Sequence, residues 1–246
     1  VTLSQADSPI ALVYALKEEV KPLLKNFQVK DQLSTCRLQL LRGTLEGVPT
    51  VLCRTGVGMS NAHEGAEFLL NNIQPSVVFS LGFAGACHPE LKTGDLVLVN
   101  EIRSETPTDR FLVDEVWKKK LEGALQKTNL SYREGSVLTS WKLAGQNGKA
   151  KWGKEGISAI DMETAAIAAV VRKVKIPFLS LRAIFDPLEE SLPFTDPMPK
   201  EINPALFVLK NPKMLLKIPK YFRMNQVCQK NLAQVVVSFL KNQSPV

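Results

Sequence analysis

Three acidic side chains stand where local sequence gives them little reason to be. Glu163 lies at the junction between an apolar strand pattern and an alanine-rich helix pattern. Asp186 closes the run 178–185, which otherwise reads as a buried parallel strand, and Glu19 follows the first apolar run of the chain. A carboxylate that ends an apolar strand must be hydrogen-bonded, capping or functional. Each acid also has an ordinary explanation. Glu19 and Glu163 can complement a helix dipole from a first turn, and Asp186, which precedes Pro187, can cap a following helix. In open α/β sheets, however, ligands bind at the carboxyl ends of strands, and acids at several such ends suggest one polar pocket.

Two glycine-containing segments accompany them. Gly56-Val57-Gly58 follows a strand pattern and precedes a helix pattern, so its backbone N–H groups suit an anion or a close ligand. Glycine can also serve such a turn for geometry alone. No third glycine follows at dinucleotide-binding spacing and no P-loop lysine is present, which disfavours a nucleotide site of either kind. Gly82-Phe83-Ala84-Gly85-Ala86 reads as a second turn at a strand end.

The elements that must position these residues alternate. Strand patterns at 9–16, 77–81, 95–102, 134–139, 158–161 and 177–186 are interleaved with helix patterns at 61–71, 113–127 and 163–173. Segments 36–41 and 48–53 read as a hairpin about a Gly43…Gly47 turn, and 142–156 as a polar stretch without clear order. This alternation predicts α/β architecture, with a central mixed sheet flanked by helices in one three-layer domain spanning 1–246. Residues 189–246 read as a basic, proline-containing extension that ends in a helix over 225–242.

Composition narrows the class. The chain has 246 residues, 45% of them hydrophobic and 22% charged, which is ordinary for a globular protein. Its four cysteines lack metal-ligand spacing and there are only two histidines, so no metal is expected and the thiols read as reduced core residues of a cytoplasmic protein. No apolar run approaches the ~20 residues that span a bilayer, and the N-terminus does not read as a signal peptide. The net charge of +7 owes much to Lys210, Lys213, Lys217, Lys220 and Arg223. These cations do not interleave with aromatics along a strand, so nucleic acid is not expected as a partner. Mixed with apolar residues over 206–223, they instead suggest peripheral contact with an anionic membrane surface, or an ordinary amphipathic face packed on the sheet.

Taken in order, the motifs resemble the purine nucleoside phosphorylase/nucleosidase superfamily, in particular its methylthioadenosine/S-adenosylhomocysteine nucleosidase branch. Ala15-Leu16-Lys17-Glu18-Glu19-Val20 looks like that branch's first strand and acidic loop. Thr55-Gly56-Val57-Gly58 and Leu81-Gly82-Phe83-Ala84-Gly85 are similar to its two glycine turns. Asp161-Met162-Glu163 resembles its Glu-Met-Glu signature, and Arg182-Ala183-Ile184-Phe185-Asp186 its Arg-Ala-Ile-Ser-Asp. Asp186-Pro187 with Ser191-Leu192-Pro193 and the basic tail resembles the hopanoid-associated phosphorylases within the same superfamily.

The resemblance implies cleavage of a purine N-glycosidic bond, releasing adenine from a nucleoside with a modified ribose 5′ carbon. It implies Asp186 as general acid at the purine N7 and Glu19 at the attacking water. Glu163 would hold ribose hydroxyls with Met162 against the sugar, and Phe83, Ala84, Gly85 and Trp141 would contact the purine. Inorganic phosphate is the alternative nucleophile, for which Lys17, Gly58 and Ser80 are the candidate ligands. A carboxylate at Glu19 would repel phosphate, so water is favoured. No organic cofactor is implied, and a homodimer is. A nucleoside-binding protein without catalysis is the remaining alternative. The chain departs from the branch at Phe83, where the nucleosidases carry Ser, and at Ser140-Trp141-Lys142-Leu143, which does not reproduce their purine loop.

Overall fold

The computed structural model describes residues 8–106, 108–190 and 218–243. Strand β1 (Ile10–Tyr14) is buried along its whole length and pairs in parallel with both β4 (Val48–Arg54) and β5 (Val77–Ala86). An all-apolar strand is what burial on both faces requires. Its alternate residues face opposite helical layers. Leu12 packs with Leu121 and Leu125 of α3 (Glu115–Gln126) and with Leu232, Val236 and Phe239 of α6 (Ile218–Lys241). Ala11 and Val13 pack with Ala62, Ala66 and Leu69 of α2 (Met59–Asn72) and with Ile167 and Val171 of α5 (Thr164–Lys173). The architecture is therefore the expected α/β sandwich of one sheet between helices.

Part of the sheet closes on itself. Strands β10 (Phe178–Asp186), β6 (Leu96–Ser104), β8 (Tyr132–Thr139), β9 (Ile157–Asp161) and β5 follow one another, and β10 pairs again with β5, closing a five-stranded ring. From β5 the sheet continues openly through β1, β4 and β3 (Gln39–Leu45) to β2 (Gln28–Ser34), while β7 (Arg110–Leu112) pairs with β6.

Four sequence expectations need correcting. The hairpin turn is Glu46-Gly47 (φ 51° and 77°), with Leu45 opposite Val48, a two-residue connection that needs positive φ twice. Gly43 lies instead inside β3, where a Cβ would meet the Gln28 carbonyl oxygen at 2.0 Å. Residues 82–86 are not a turn but the continuation of β5, paired with both β10 and β9. The polar stretch 142–156 contains α4 (Gln146–Lys154). The C-terminal helix is longer than 225–242 and is no appendage, because Met224, Cys228, Val235 and Leu240 are buried in the core as well.

Of the proposed membrane-facing segment, 206–217 lies outside the described residues, and Lys220 and Arg223 are exposed on α6. Among the described residues no helix is long and apolar enough to cross a membrane. Cys53, Cys87 and Cys228 are buried, and burial pushes each thiol up to about 12; Cys36 is exposed.

Glycines within a strand mark close approach. At Gly82 an added Cβ would lie 2.8 Å from Arg182 Nη1 and 2.9 Å from Glu19 Oε1. Gly82→Ala should therefore destabilise the protein by about 1–3 kcal/mol, read as a lower urea midpoint; an unchanged midpoint would refute the crowding.

Candidate active site

The polar residues are assembled on a buried ion pair. Arg182 of β10 is 1% exposed, and its Nε donates to Asp161 Oδ2 at 2.8 Å. Its Nη2 donates to Ser80 Oγ of β5 at 2.8 Å and to Thr164 Oγ1 of α5 at 2.5 Å. Asp161, at the end of β9, also accepts from Thr139 Oγ1 of β8 at 2.7 Å and from the Thr164 backbone N–H and hydroxyl. It thus receives the first N–H of α5 while neutralising Arg182. Arg182 Nη1 has no hydrogen-bond partner and lies beside Glu19.

Glu163 follows Asp161 by two residues. Its Oε1 accepts from the Gly58 N–H at 2.7 Å and its Oε2 from the Met162 N–H at 3.3 Å. Gly58 stands at the N-terminus of α2 with φ 95°, a backbone conformation that favours glycine. Burial, reinforced by the neighbouring Asp161 charge, pushes the Glu163 carboxyl up to about 8, against the Gly58 hydrogen bond.

Glu19, in the single 3-10 turn Lys17–Val20, is fixed by backbone alone. Its Oε2 accepts from the N–H groups of Ala15 (2.9 Å) and Leu16 (2.8 Å), and its Oε1 from Phe83 (3.0 Å). A carboxylate has about four lone-pair sites, so one direction on Oε1 stays open. Burial raises this carboxyl, while the three N–H groups and Arg182 oppose the rise.

Asp186 meets a cation that leaves no signature in the sequence. Lys149 of α4 is 0% exposed and its Nζ donates to Asp186 Oδ2 at 2.8 Å. Burial raises the Asp186 carboxyl and Lys149 works against that rise. No helix cap explains Asp186 among the described residues.

Glu19, Glu163 and Asp186 border one cavity of about 350 Å³. Met162, Phe83, Ala84 and Gly85 line it too, with Leu143, Ala144, Ile160 and Phe185 supplying apolar wall and Asn225 of α6 an amide whose Oδ1 has no protein partner. Phe83 stacks on Phe185 with ring centroids 5.5 Å apart.

Four expected residues are not part of this wall. Trp141 is 58% exposed and borders a separate groove with His63 and Ala169; Lys142 and Leu143 take the place expected for it. Lys17 is exposed to solvent outside the cavity. Ser80 is fully buried and occupied by Arg182. The Gly58 N–H is occupied by Glu163.

Arg182, Asp161, Lys149, Phe185 and Asn225 were not singled out as site residues from sequence. Arg182 left a signal, a cation inside an otherwise apolar strand run. Lys149 and Asn225 left none.

The sequence profile of the Phosphorylase superfamily matches residues 9–202 of the chain. The chain belongs to the Phosphorylase superfamily. A 5′-methylthioadenosine/S-adenosylhomocysteine nucleosidase of Bacillus cereus is 26% identical over 196 residues, covering 72% of this chain and 85% of the relative. Among solved structures, the 5′-methylthioadenosine/S-adenosylhomocysteine nucleosidase of Neisseria meningitidis in complex with methylthio-immucillin-A superposes with a TM-score of 0.77 at 20% identity, covering 96% of this chain and 99% of that one. The futalosine hydrolase of Helicobacter pylori gives 0.76 at 15% identity, covering 97% and 100%. These likenesses show the fold, and this member of the superfamily shares it over nearly its whole length.

The raised Glu163 carboxyl couples stability to pH. An unfolded glutamate titrates near ~4.3, whereas folded Glu163 titrates at about 8. Between those values the folded state holds a proton that the unfolded state has lost, so stability falls as pH rises through this window and levels off above it. Glu19 and Asp186, also raised, act in the same direction. Melting temperature should therefore drop from pH 5 to pH 8 in the wild type and drop less in Glu163→Gln; parallel curves would contradict the assignment.

Proposed function

We propose that the chain hydrolyses the N-glycosidic bond of an adenine nucleoside that carries a substituent on its ribose 5′ carbon. The observation that carries this reading is the convergence of three separately fixed carboxylates, two buried and one half-buried, on one largely apolar cavity. Glycosidic cleavage through an oxocarbenium-like transition state needs a proton for the departing base and a nucleophile at C1′. Asp186, raised by burial, protonates N7 as the C1′–N9 bond breaks. Water adds to C1′ and gives its proton to the free lone pair of Glu19 Oε1. Glu163 hydrogen-bonds both ribose hydroxyls, with Met162 against the sugar. The purine lies against Phe83, Ala84 and Gly85. The adenine nucleosides named for the relatives and structural neighbours support this substrate class.

Water is favoured over phosphate because of what the candidate anion ligands are doing. Ser80 and the Gly58 amide are already hydrogen-bonded, Lys17 lies outside the cavity, and Glu19 would repel an anion. The reading needs neither metal nor organic cofactor, since carboxylates perform each proton transfer. By family resemblance it includes a homodimer. The likeness of 186–193 and the basic tail to hopanoid-associated phosphorylases supports a bulky apolar 5′ substituent, with 206–223 resting on anionic lipid.

Purified protein should release adenine from methylthioadenosine without phosphate and after dialysis against EDTA. Glu19→Gln and Asp186→Asn should each lower kcat by about 10²–10⁴-fold while remaining folded. Release that depends on phosphate would replace water as the nucleophile and remove the role given to Glu19. Failure to release adenine from any 5′-substituted adenosine would leave a binding protein.

A further inference from the structure

Among the described residues one lysine is completely buried, and it is buried against the proposed acid. Removing an ammonium from water costs several kcal/mol unless every proton finds a partner. Lys149 meets that condition: Nζ donates to Asp186 Oδ2 at 2.8 Å, to the Pro187 carbonyl at 2.7 Å and to the Glu190 carbonyl at 2.7 Å. Three donors meet three acceptors, so the ammonium cannot turn towards a ligand. It also occupies one oxygen of Asp186 and leaves Oδ1 as the oxygen able to hold and hand over a proton. Gly85 keeps the space beside this pair open, because a Cβ there would lie 3.0 Å from Asp186 Oδ2 and 3.2 Å from Lys149 Cδ.

We propose that Lys149 is a positioning residue that strengthens Asp186 as a general acid by stabilising the carboxylate left when the proton passes to the departing base. The inference rests on the glycosidase reading of the cavity. In the step, the Oδ1–H bond of Asp186 breaks, its proton joins purine N7, and the electron pair stays on Asp186 beside a fixed positive charge. Charges attract far more strongly in a buried site than in water, so the ammonium favours the product side of the transfer. A neutral side chain at 149 would leave a weaker acid that keeps its proton to higher pH.

The other groups facing Asp186 come from three elements. Glu190 follows β10 and is ion-paired with Lys220, Cys87 follows β5, and Tyr221 and Cys228 come from α6. Both thiols are pushed up to about 12 by burial, and burial raises Tyr221 above its usual value. Lys149 is therefore the cation set directly on Asp186.

The test is the pH profile of adenine release from methylthioadenosine by the full chain between pH 5 and 10. A general acid works while protonated, so the rate is lost as pH rises through its titration. Lys149→Gln should lower the plateau kcat by about 10-fold or more and move this alkaline limb upward by about one pH unit or more. Lys149→Arg should return the limb towards the wild-type position. A folded Lys149→Gln protein that loses rate with an unmoved limb would overturn the proposal, since a merely structural lysine gives that result.

A measurement on the unsubstituted protein guards against variants that do not fold. The ¹³Cγ resonance of Asp186, assigned by its loss in Asp186→Asn, should show a carboxylate in the adenine-bound enzyme at pH 7. A protonated carboxyl there would overturn the proposal equally. Wild-type protein that releases no adenine from any nucleoside sinks the glycosidase reading itself. An active wild type with an unmoved limb sinks the role of Lys149 alone.

Discussion

The polar half of the cavity depends on a cation that does not line it. Arg182 lies midway along β10 and Asp161 at the end of β9, strands that are not neighbours in the ring; β5 runs between them. Their ion pair reaches across that strand at Gly82, the residue in register with Arg182, where no side chain intervenes. The same guanidinium and carboxylate gather Ser80, Thr139 and Thr164, tying β5, β8 and α5 to the pair. Breaking such a pair leaves an uncompensated buried charge, so the strands that carry it are fixed together. Glu163 comes two residues after Asp161 and Asp186 four residues after Arg182. Their placement follows from the pair by chain connectivity.

Each of the three cavity acids is then held by a different means. Glu19 is held by backbone N–H groups from its own turn and from β5, Glu163 by the amides of Gly58 and Met162, and Asp186 by an ammonium. Fixed amides favour an ionised carboxylate without adding a charge of their own, whereas an ammonium responds directly to whether the carboxyl carries its proton. That difference sets Asp186 apart from the other two acids.

What the sequence disclosed follows the same division between chain and space. Strands such as 77–81 and 177–186, and the helices that follow them, were legible because burial on both faces demands unbroken apolar runs. The acids were legible because they interrupt or end those runs. The continuation of β5 through residues 82–86 was not, since small residues read as a turn until the strands on either side are known. Lys149 was hidden for a complementary reason: a lysine in a polar, glycine-containing segment looks solvated, and only the tertiary fold brings it under Asp186. Trp141 misled in the opposite direction. An aromatic beside a strand end is a natural stacking group, but its ring points into a neighbouring groove. The closure of the ring, made by β10 returning to β5, has no local signature at all.

That closure also decides where the sheet remains open to other chains. A strand inside a ring has both edges paired; among the described residues the run of strands from β5 through β1 and β4 ends at β2. Unpaired strand edges invite addition of a foreign strand and, through it, aggregation. β2 is poorly suited to such templating: nearly all its residues are exposed, the register slips between Val29 and Asp31, and Lys30 and the Asp31–Arg42 ion pair put charge along it. The irregularity and charge that make this strand look expendable to the cavity disfavour growth by that edge.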